Sequence, residues 1–92
     1  MVMIATAASF EKALKSLPPH RATAAAKTLL FFMEEPGLPR LRFRALKGLE
    51  EYFIINVKHG DRIILKKIEN ETYLAVDIGP HDNIYRRWDR KK

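Results

Sequence analysis

The chain has 92 residues, of which 47% are hydrophobic, and its 17 Lys and Arg against 11 Asp and Glu give a formal net charge of +6. This length allows one domain, 1–92, with a single core, and the apolar content argues against intrinsic disorder. The absence of cysteine excludes disulfides, thiolate catalysis and cysteine-ligated zinc, and it suits a reducing, cytoplasmic compartment. The longest apolar run, Leu29 to Met33, is far shorter than the roughly 18 residues of a membrane span, so no membrane association is expected.

The first half of the chain predicts a strand followed by two helices. Residues 2–6 are β-branched or small, as in a strand. Ser9 is the predicted N-cap of a helix over 10–17, whose apolar residues share one face. The Pro18-Pro19 pair ends this helix, because proline cannot donate a backbone hydrogen bond. Pro19 also opens the next helix, which is Ala-rich and reaches Glu35. The two helices are therefore predicted to form a hairpin.

The second half of the chain changes from a helical to an alternating period. Between residues 40 and 45, arginines alternate with apolar residues, which predicts a strand with one cationic face formed by Arg40, Arg42 and Arg44. Three further segments over 52–57, 62–68 and 72–78 have strand composition and are separated by turn-forming residues. These three strands are predicted to form an antiparallel meander.

The end of the chain predicts a short helix. Gly79-Pro80 closes the last strand, and Asp82 or Asn83 is the predicted cap of a helix that carries Tyr85 and Trp88. A large indole in so small a domain is normally buried, so Trp88 is expected to pack in the core. The predicted fold class is therefore α+β: an N-terminal strand and helix hairpin packed on an antiparallel β-meander, with a short C-terminal helix.

The positive charge is clustered, which favours a functional basic surface over charge that only confers solubility. Such a surface attracts nucleic acid phosphates through counterion release. It attracts an acidic protein segment equally well, and an extended segment could add a strand to a sheet edge. Besides the three arginines named above, the cluster includes the C-terminal residues Arg86, Arg87, Arg90, Lys91 and Lys92.

The order of elements, with four short segments in it, resembles the RelE/ParE superfamily of bacterial toxins over nearly the whole chain. The segments are Phe10-Glu11-Lys12-Ala13-Leu14, Leu46-Lys47-Gly48-Leu49, Asp61-Arg62-Ile63-Ile64 and Gly79-Pro80-His81-Asp82-Asn83-Ile84-Tyr85.

The resemblance implies the toxin of a type II toxin–antitoxin system, neutralised by an acidic antitoxin that binds through an extended or helical segment. Many members of the superfamily cleave mRNA on the translating ribosome without a metal and so repress translation, whereas the ParE type inhibits DNA gyrase. The resemblance therefore implies an mRNA endonuclease with mRNA and ribosome as partners, and no metal, cofactor or small-molecule ligand. The alternatives are a ParE-like inhibitor of gyrase and a non-toxic binding module.

Metal-free RNA cleavage needs a cation at the phosphate and a proton donor for the leaving oxygen. Arg62 matches the family's arginine at the start of a central strand, and its forked guanidinium suits a scissile phosphate. His81 is the candidate acid, since an ordinary histidine titrates near neutrality. Tyr85 matches an aromatic residue that stacks on a base or assists proton transfer.

Each catalytic candidate has a structural alternative. Arg62 could pair with a carboxylate such as Glu50 or Glu51. His81 could bind a backbone carbonyl, with Asp82 as a helix cap. Tyr85 could anchor the last helix to the core.

The predicted RNA contacts are basic residues outside these three positions, and Lys47, Lys58 and His59 among them are equally at home as solvated turn or loop residues. The set is Arg42, Arg44, Lys47, Lys58, His59 and Arg86. Phe53 and Ile55 stand at the positions predicted to match lysines of some cleaving members, and His59 is an alternative base. His20 is expected to be a surface residue at a helix start.

Overall fold

The computed structural model describes residues 1–89, which form a five-stranded sheet and three helices. The basic tail residues Arg90, Lys91 and Lys92 lie outside the described residues. Within 1–89, no helix is both long enough and apolar enough to cross a bilayer. The elements are β1 (Met3–Thr6), α1 (Ala8–Lys15), α2 (Pro19–Glu34), β2 (Arg44–Ala45), β3 (Tyr52–Asn56), β4 (Asp61–Glu69), β5 (Thr72–Pro80) and α3 (His81–Asp89), with 3₁₀ turns at Pro39–Leu41 and Lys58–Gly60.

The sheet has the strand order β1-β5-β4-β3-β2. Strands β3, β4 and β5 form the predicted antiparallel meander, and β2 adds to it antiparallel beside β3. β1 pairs with β5 in parallel, with Met3 opposite Thr72. A parallel neighbour needs a long connection. Here the connection from β1 to β5 contains the helix hairpin and the strands β2, β3 and β4. The α+β class predicted from the sequence is confirmed.

Two apolar clusters lie on opposite faces of this sheet, because successive strand residues point to opposite sides. On one face, Phe10 of α1 and Phe32 of α2 pack with Ile55 and other inward residues of β3, β4 and β5. On the other face, Ile84 and Trp88 of α3 pack with Ile54 of β3 and Ile64 of β4. The helix hairpin therefore covers one side of the sheet and α3 covers the other.

The helix starts differ from the predicted caps. α1 begins after Ala7, so Ser9 lies inside the helix, and its hydroxyl donates a hydrogen bond to the Val76 carbonyl at 2.7 Å. This bond ties α1 to β5 instead of capping α1. At the other end, Gly79-Pro80 belongs to β5, and α3 begins at His81, so Asp82 and Asn83 lie in its first turns.

The predicted arginine-faced strand over 40–45 is wrong. Pro39 has a fixed φ and opens a 3₁₀ turn, which is closed by a hydrogen bond from the Arg42 N–H to the Pro39 carbonyl at 3.1 Å. Arg42 adopts a left-handed φ of 48°, and only Arg44–Ala45 are extended. The three arginines consequently have different surroundings: Arg40 lies over the Phe31 ring at 4.4 Å, whereas Arg44 reaches toward α3.

Candidate active site at one end of the sheet

The strand register brings polar residues from three strands together at one end of the sheet. Asn56 ends β3 directly opposite Arg62 of β4, and Arg62 lies opposite Gly79 of β5. Arg44 of β2 lies opposite Ile54, which belongs to the cluster beneath α3. Residues opposite each other in an antiparallel pair share a face, and Ile54 and Asn56 share one by alternation. Arg44, Asn56 and Arg62 therefore lie on the face that α3 covers.

Arg44 connects this strand end to α3. Its Nη1 donates a hydrogen bond to Asn56 Oδ1 at 3.0 Å and another to the Arg42 carbonyl, and its Nη2 donates to the Tyr85 hydroxyl at 3.1 Å. These bonds hold a permanently charged guanidinium beside a phenol. Because Tyr85 accepts the bond from Arg44, its own O–H proton remains available for donation.

Arg62 has no acidic partner within residues 1–89, so the predicted alternative of a pair with Glu50 or Glu51 is not found. Its Nη1 donates to the adjacent Asp61 carbonyl at 3.0 Å. Its Nε is buried without a hydrogen-bond partner. An unsatisfied buried donor costs about 1–3 kcal/mol, and more on a charged group, so the fold holds this guanidinium at a cost that an anionic ligand could offset.

His81 and Tyr85 lie one turn apart on α3 and face each other. Their ring centroids are 4.6 Å apart, at an interplanar angle of 65°. His81 Nδ1 lies 3.0 Å from Asp82 Oδ1, and the imidazole is half exposed. When Nδ1 carries the proton it donates to Asp82, which leaves Nε2 to exchange a proton with a ligand. Asp82 therefore orients His81 and does not cap the helix.

Asp77 of β5 fixes the position of α3. Its carboxylate accepts two hydrogen bonds from Arg87, both at 3.1 Å, and one from Trp88 Nε1 at 2.8 Å. Trp88 is only 9% exposed, so its predicted packing role is confirmed. The opposite end of α3 carries His81, so this anchor also positions the backbone at His81.

The other predicted RNA contacts lie outside this group. Arg42 and Lys47 are exposed on the turns that flank β2, and Arg86 is exposed on α3. Lys58 and His59 lie on the 3₁₀ turn before β4, in a cleft beneath α2 that Asn56 and Arg62 also line.

The residues that β3 presents to the site are Tyr52, Ile54 and Asn56. Phe53 and Ile55, the positions predicted to match lysines of some cleaving relatives, point to the opposite face and pack beneath the helix hairpin. The sequence analysis missed Asn56. Alternation from the buried Ile54 is the signal that could have located it, together with the register that sets it against Arg62.

The residue types in this group are those that a phosphate site with proton donors needs. Two guanidiniums, from Arg44 and Arg62, can bind the oxygens of a phosphodiester, and the imidazole and phenol of His81 and Tyr85 can transfer a proton. Within residues 1–89, no three His, Asp or Glu side chains are grouped so that they could hold a metal ion.

Comparison with solved structures identifies the fold. A chain of the RelB–RelE antitoxin–toxin complex from Methanococcus jannaschii aligns with a TM-score of 0.70 and 21% identity over 90% of this chain and 96% of that one. A chain of the RelBE2 complex from Mycobacterium tuberculosis aligns with a TM-score of 0.70 and 17% identity over 87% and 98%. The E. coli toxin RelE, as a double mutant in the free state, aligns with a TM-score of 0.71 and 14% identity over 98% and 96%. No protein-family model and no curated protein matches the sequence. The chain has the RelE-like toxin fold.

Proposed function

We propose that this chain with a RelE-like fold is the toxin of a type II toxin–antitoxin system and that it cleaves mRNA on the ribosome. The observation that supports the proposal is that strand register and two side-chain contacts bring Arg44, Arg62, His81 and Tyr85 to one end of the sheet, which supplies two permanent cations and two proton donors. The implied compartment is the cytoplasm, where its substrate is translated.

The proposed reaction is an attack of the RNA 2′-oxygen on the adjacent phosphorus. The 2′-hydroxyl proton is transferred to water as the new P–O bond forms. Arg62 and Arg44 stabilise the extra negative charge on the pentacovalent phosphate. The P–O5′ bond then breaks, and His81 supplies the proton that the departing 5′-oxygen takes. The products are a 2′,3′-cyclic phosphate and a 5′-hydroxyl.

Tyr85 has a second proposed role at the base. Its ring packs against His81, and its hydroxyl is held by Arg44, so the phenol is fixed before any ligand arrives. A fixed aromatic face suits stacking on a nucleobase, which is worth about 1–3 kcal/mol. Its free O–H proton can also assist the transfer to the leaving group.

The proposed partner is an acidic antitoxin. Two of the similar structures, RelB–RelE and RelBE2, are complexes of a toxin with its antitoxin. The net charge of +6 on this chain attracts an acidic partner electrostatically. The short outer strand β2 also leaves a sheet edge where an extended segment could pair.

Induced expression in a bacterium tests the proposal. Wild type is expected to arrest growth and to create new mRNA 5′ ends, whereas Arg62→Gln/His81→Ala does neither. Lys15→Gln, an exposed change on α1, is the matched control and is expected to act like wild type. Soluble yield and thermal midpoint are compared first, because Arg62 is partly buried.

The second candidate, inhibition of gyrase, is favoured by one feature: β3 presents Tyr52, Ile54 and Asn56 to the site and no lysine. A plasmid supercoiling assay separates the two. Growth arrest with loss of gyrase supercoiling and without new mRNA ends would replace the nuclease proposal. Expression that does not slow growth at all would indicate that the chain is a non-toxic binding module.

A further inference from the structure

A second cationic cleft lies beside the candidate active site. It is bounded by α2, by the 3₁₀ turn Pro39–Leu41 and by the 3₁₀ turn Lys58–Gly60, and its volume is about 660 Å³. None of the described residues that line it is acidic. The basic residues in its wall are His20, Lys27, Arg40, Lys58, His59 and Arg62.

Three basic side chains of this cleft, His20, Arg40 and His59, are held in place by ring contacts. The His20 and His59 rings meet edge to face, with centroids 5.2 Å apart, which joins the start of α2 to the Lys58–Gly60 turn. Arg40 lies over the Phe31 ring at 4.4 Å, and this contact favours a guanidinium on the wall of the cleft. Cations that are already ordered lose less conformational entropy when they bind a ligand.

An ion pair behind the cleft fixes its two sides. The Arg21 guanidinium of α2 binds both oxygens of Asp61, with Nε 2.9 Å from Oδ2, and the Asp61 side chain is fully buried. This pair neutralises the Asp61 carboxylate, which is the chain neighbour of the lining residue Arg62. Asp61 therefore does not cancel the positive charge of the cleft, which favours an anionic ligand.

The cleft shares two residues with the candidate active site. Asn56 and Arg62 line the cleft, and the same residues lie opposite each other in the β3–β4 pair at the active-site end of the sheet. A linear polyanion held at Arg62 can therefore extend from one site into the other.

We propose that this cleft is a second phosphate subsite, which binds the backbone of the same RNA strand one or more nucleotides away from the cleaved bond. The inference rests on the proposed function, since it takes its strand from the active site. RNA is favoured over an acidic peptide because Arg62 lines the cleft and is also the proposed ligand of the scissile phosphate, and an RNA backbone carries a further negative charge at every nucleotide. Lys27, Arg40 and Lys58 supply the exposed charge of this subsite.

Binding of two uncleavable RNAs tests the subsite. Single-stranded 2′-O-methyl RNAs of three and nine nucleotides are titrated at several salt concentrations with wild type, Lys27→Gln/Lys58→Gln and the control Lys12→Gln/Lys15→Gln. Both variants lose two exposed charges, but the control pair lies on α1, outside the cleft. All three proteins are compared first by thermal unfolding.

The cleft variant is expected to bind the nonamer about tenfold more weakly. Its plot of log affinity against log salt should be shallower by about 1.4, because each phosphate contact on a single strand contributes about 0.7. Its affinity for the trimer should stay within twofold of wild type, and the control should bind both RNAs as wild type does.

Equal losses in the cleft variant and the control, or an equal loss for trimer and nonamer, would overturn the subsite while wild type still cleaves mRNA. Loss of binding to an acidic antitoxin peptide with unchanged nonamer affinity would also overturn it. Wild type that binds neither RNA and creates no new mRNA ends would remove the proposed function together with the subsite.

Discussion

Arg44 of β2 donates a hydrogen bond to the hydroxyl of Tyr85 on α3, at 3.1 Å and across 41 positions of the chain. β2 is only two residues long, so the orientation of the Arg44 side chain is fixed by this bond and by a second bond to Asn56 at 3.0 Å. The bond also joins the cation and the aromatic ring of the candidate site into one unit, which neither strand nor helix could position alone.

Replacing Arg44 by lysine is expected to slow RNA cleavage on the order of 100-fold, the usual loss when one donor to a transition-state oxyanion is removed. A lysine keeps the charge but cannot bind Asn56 and Tyr85 together in a planar fork. Single-turnover cleavage of a short RNA measures the effect, with Lys15→Gln, an exposed change on α1, as the control. A rate within threefold of wild type would remove Arg44 from the site.

Two substitutions at Tyr85 separate its proposed roles. Tyr85→Phe keeps the ring and loses the hydroxyl, so it should lower the cleavage rate and leave RNA affinity nearly unchanged. Tyr85→Ala should also weaken affinity by about 1–3 kcal/mol, the value of one base stacked on an aromatic ring. Cleavage rate and equilibrium binding are measured in parallel. Equal affinities for the two variants would contradict stacking.

The Arg21–Asp61 pair is expected to be the main polar contribution to stability. The Arg21 pKa is raised by its hydrogen bond to Asp61, which outweighs the opposing effect of burial. Arg21→Ala would leave the fully buried Asp61 carboxylate unpaired, at a cost of about 3–5 kcal/mol. Urea unfolding measures it, and Arg21→Met/Asp61→Leu should recover most of the loss. A cost below about 1 kcal/mol would contradict this role.

Alkaline stability is expected to depend on Tyr73. Burial raises its pKa above the usual 10.0, with a smaller contribution from Glu71. Above pH 10 the unfolded chain then loses the tyrosine proton before the folded one does, so stability falls as pH rises from about 10 through the raised pKa. Tyr73→Phe should show a shallower decline over this window and similar stability at pH 7. Urea unfolding at several pH values measures this decline. An equal loss of unfolding free energy with rising pH in wild type and Tyr73→Phe would contradict the assignment.

The secondary structure was largely predictable because its signals are local. The Pro18-Pro19 pair and the turns around β4 separate segments with clear helical or alternating periods. The strand predicted over 40–45 failed, since Pro39 and the left-handed Arg42 impose a turn that alternation does not reveal. The parallel pairing of β1 with β5 joins the two halves of the chain and has no local signal.

The candidate site was predictable only in part. The resemblance gave Arg62, His81 and Tyr85, and the structure brings them to one end of the sheet. The contacts of Arg44 depend on strand register and on the docking of α3, which composition and spacing do not fix. The second cleft was not predictable, because His20, Lys27 and Arg40 meet the 3₁₀ turn Lys58–Gly60 only through tertiary packing.

The most direct test of the central claim is cleavage of a message on programmed ribosomes by purified protein, with the ribose at the cut position either natural or 2′-deoxy. Attack by the 2′-oxygen predicts cleavage of the natural message to a 2′,3′-cyclic phosphate and a 5′-hydroxyl, and none at the deoxy position. Cleavage at the deoxy position, or an intact natural message at saturating protein, would contradict the account.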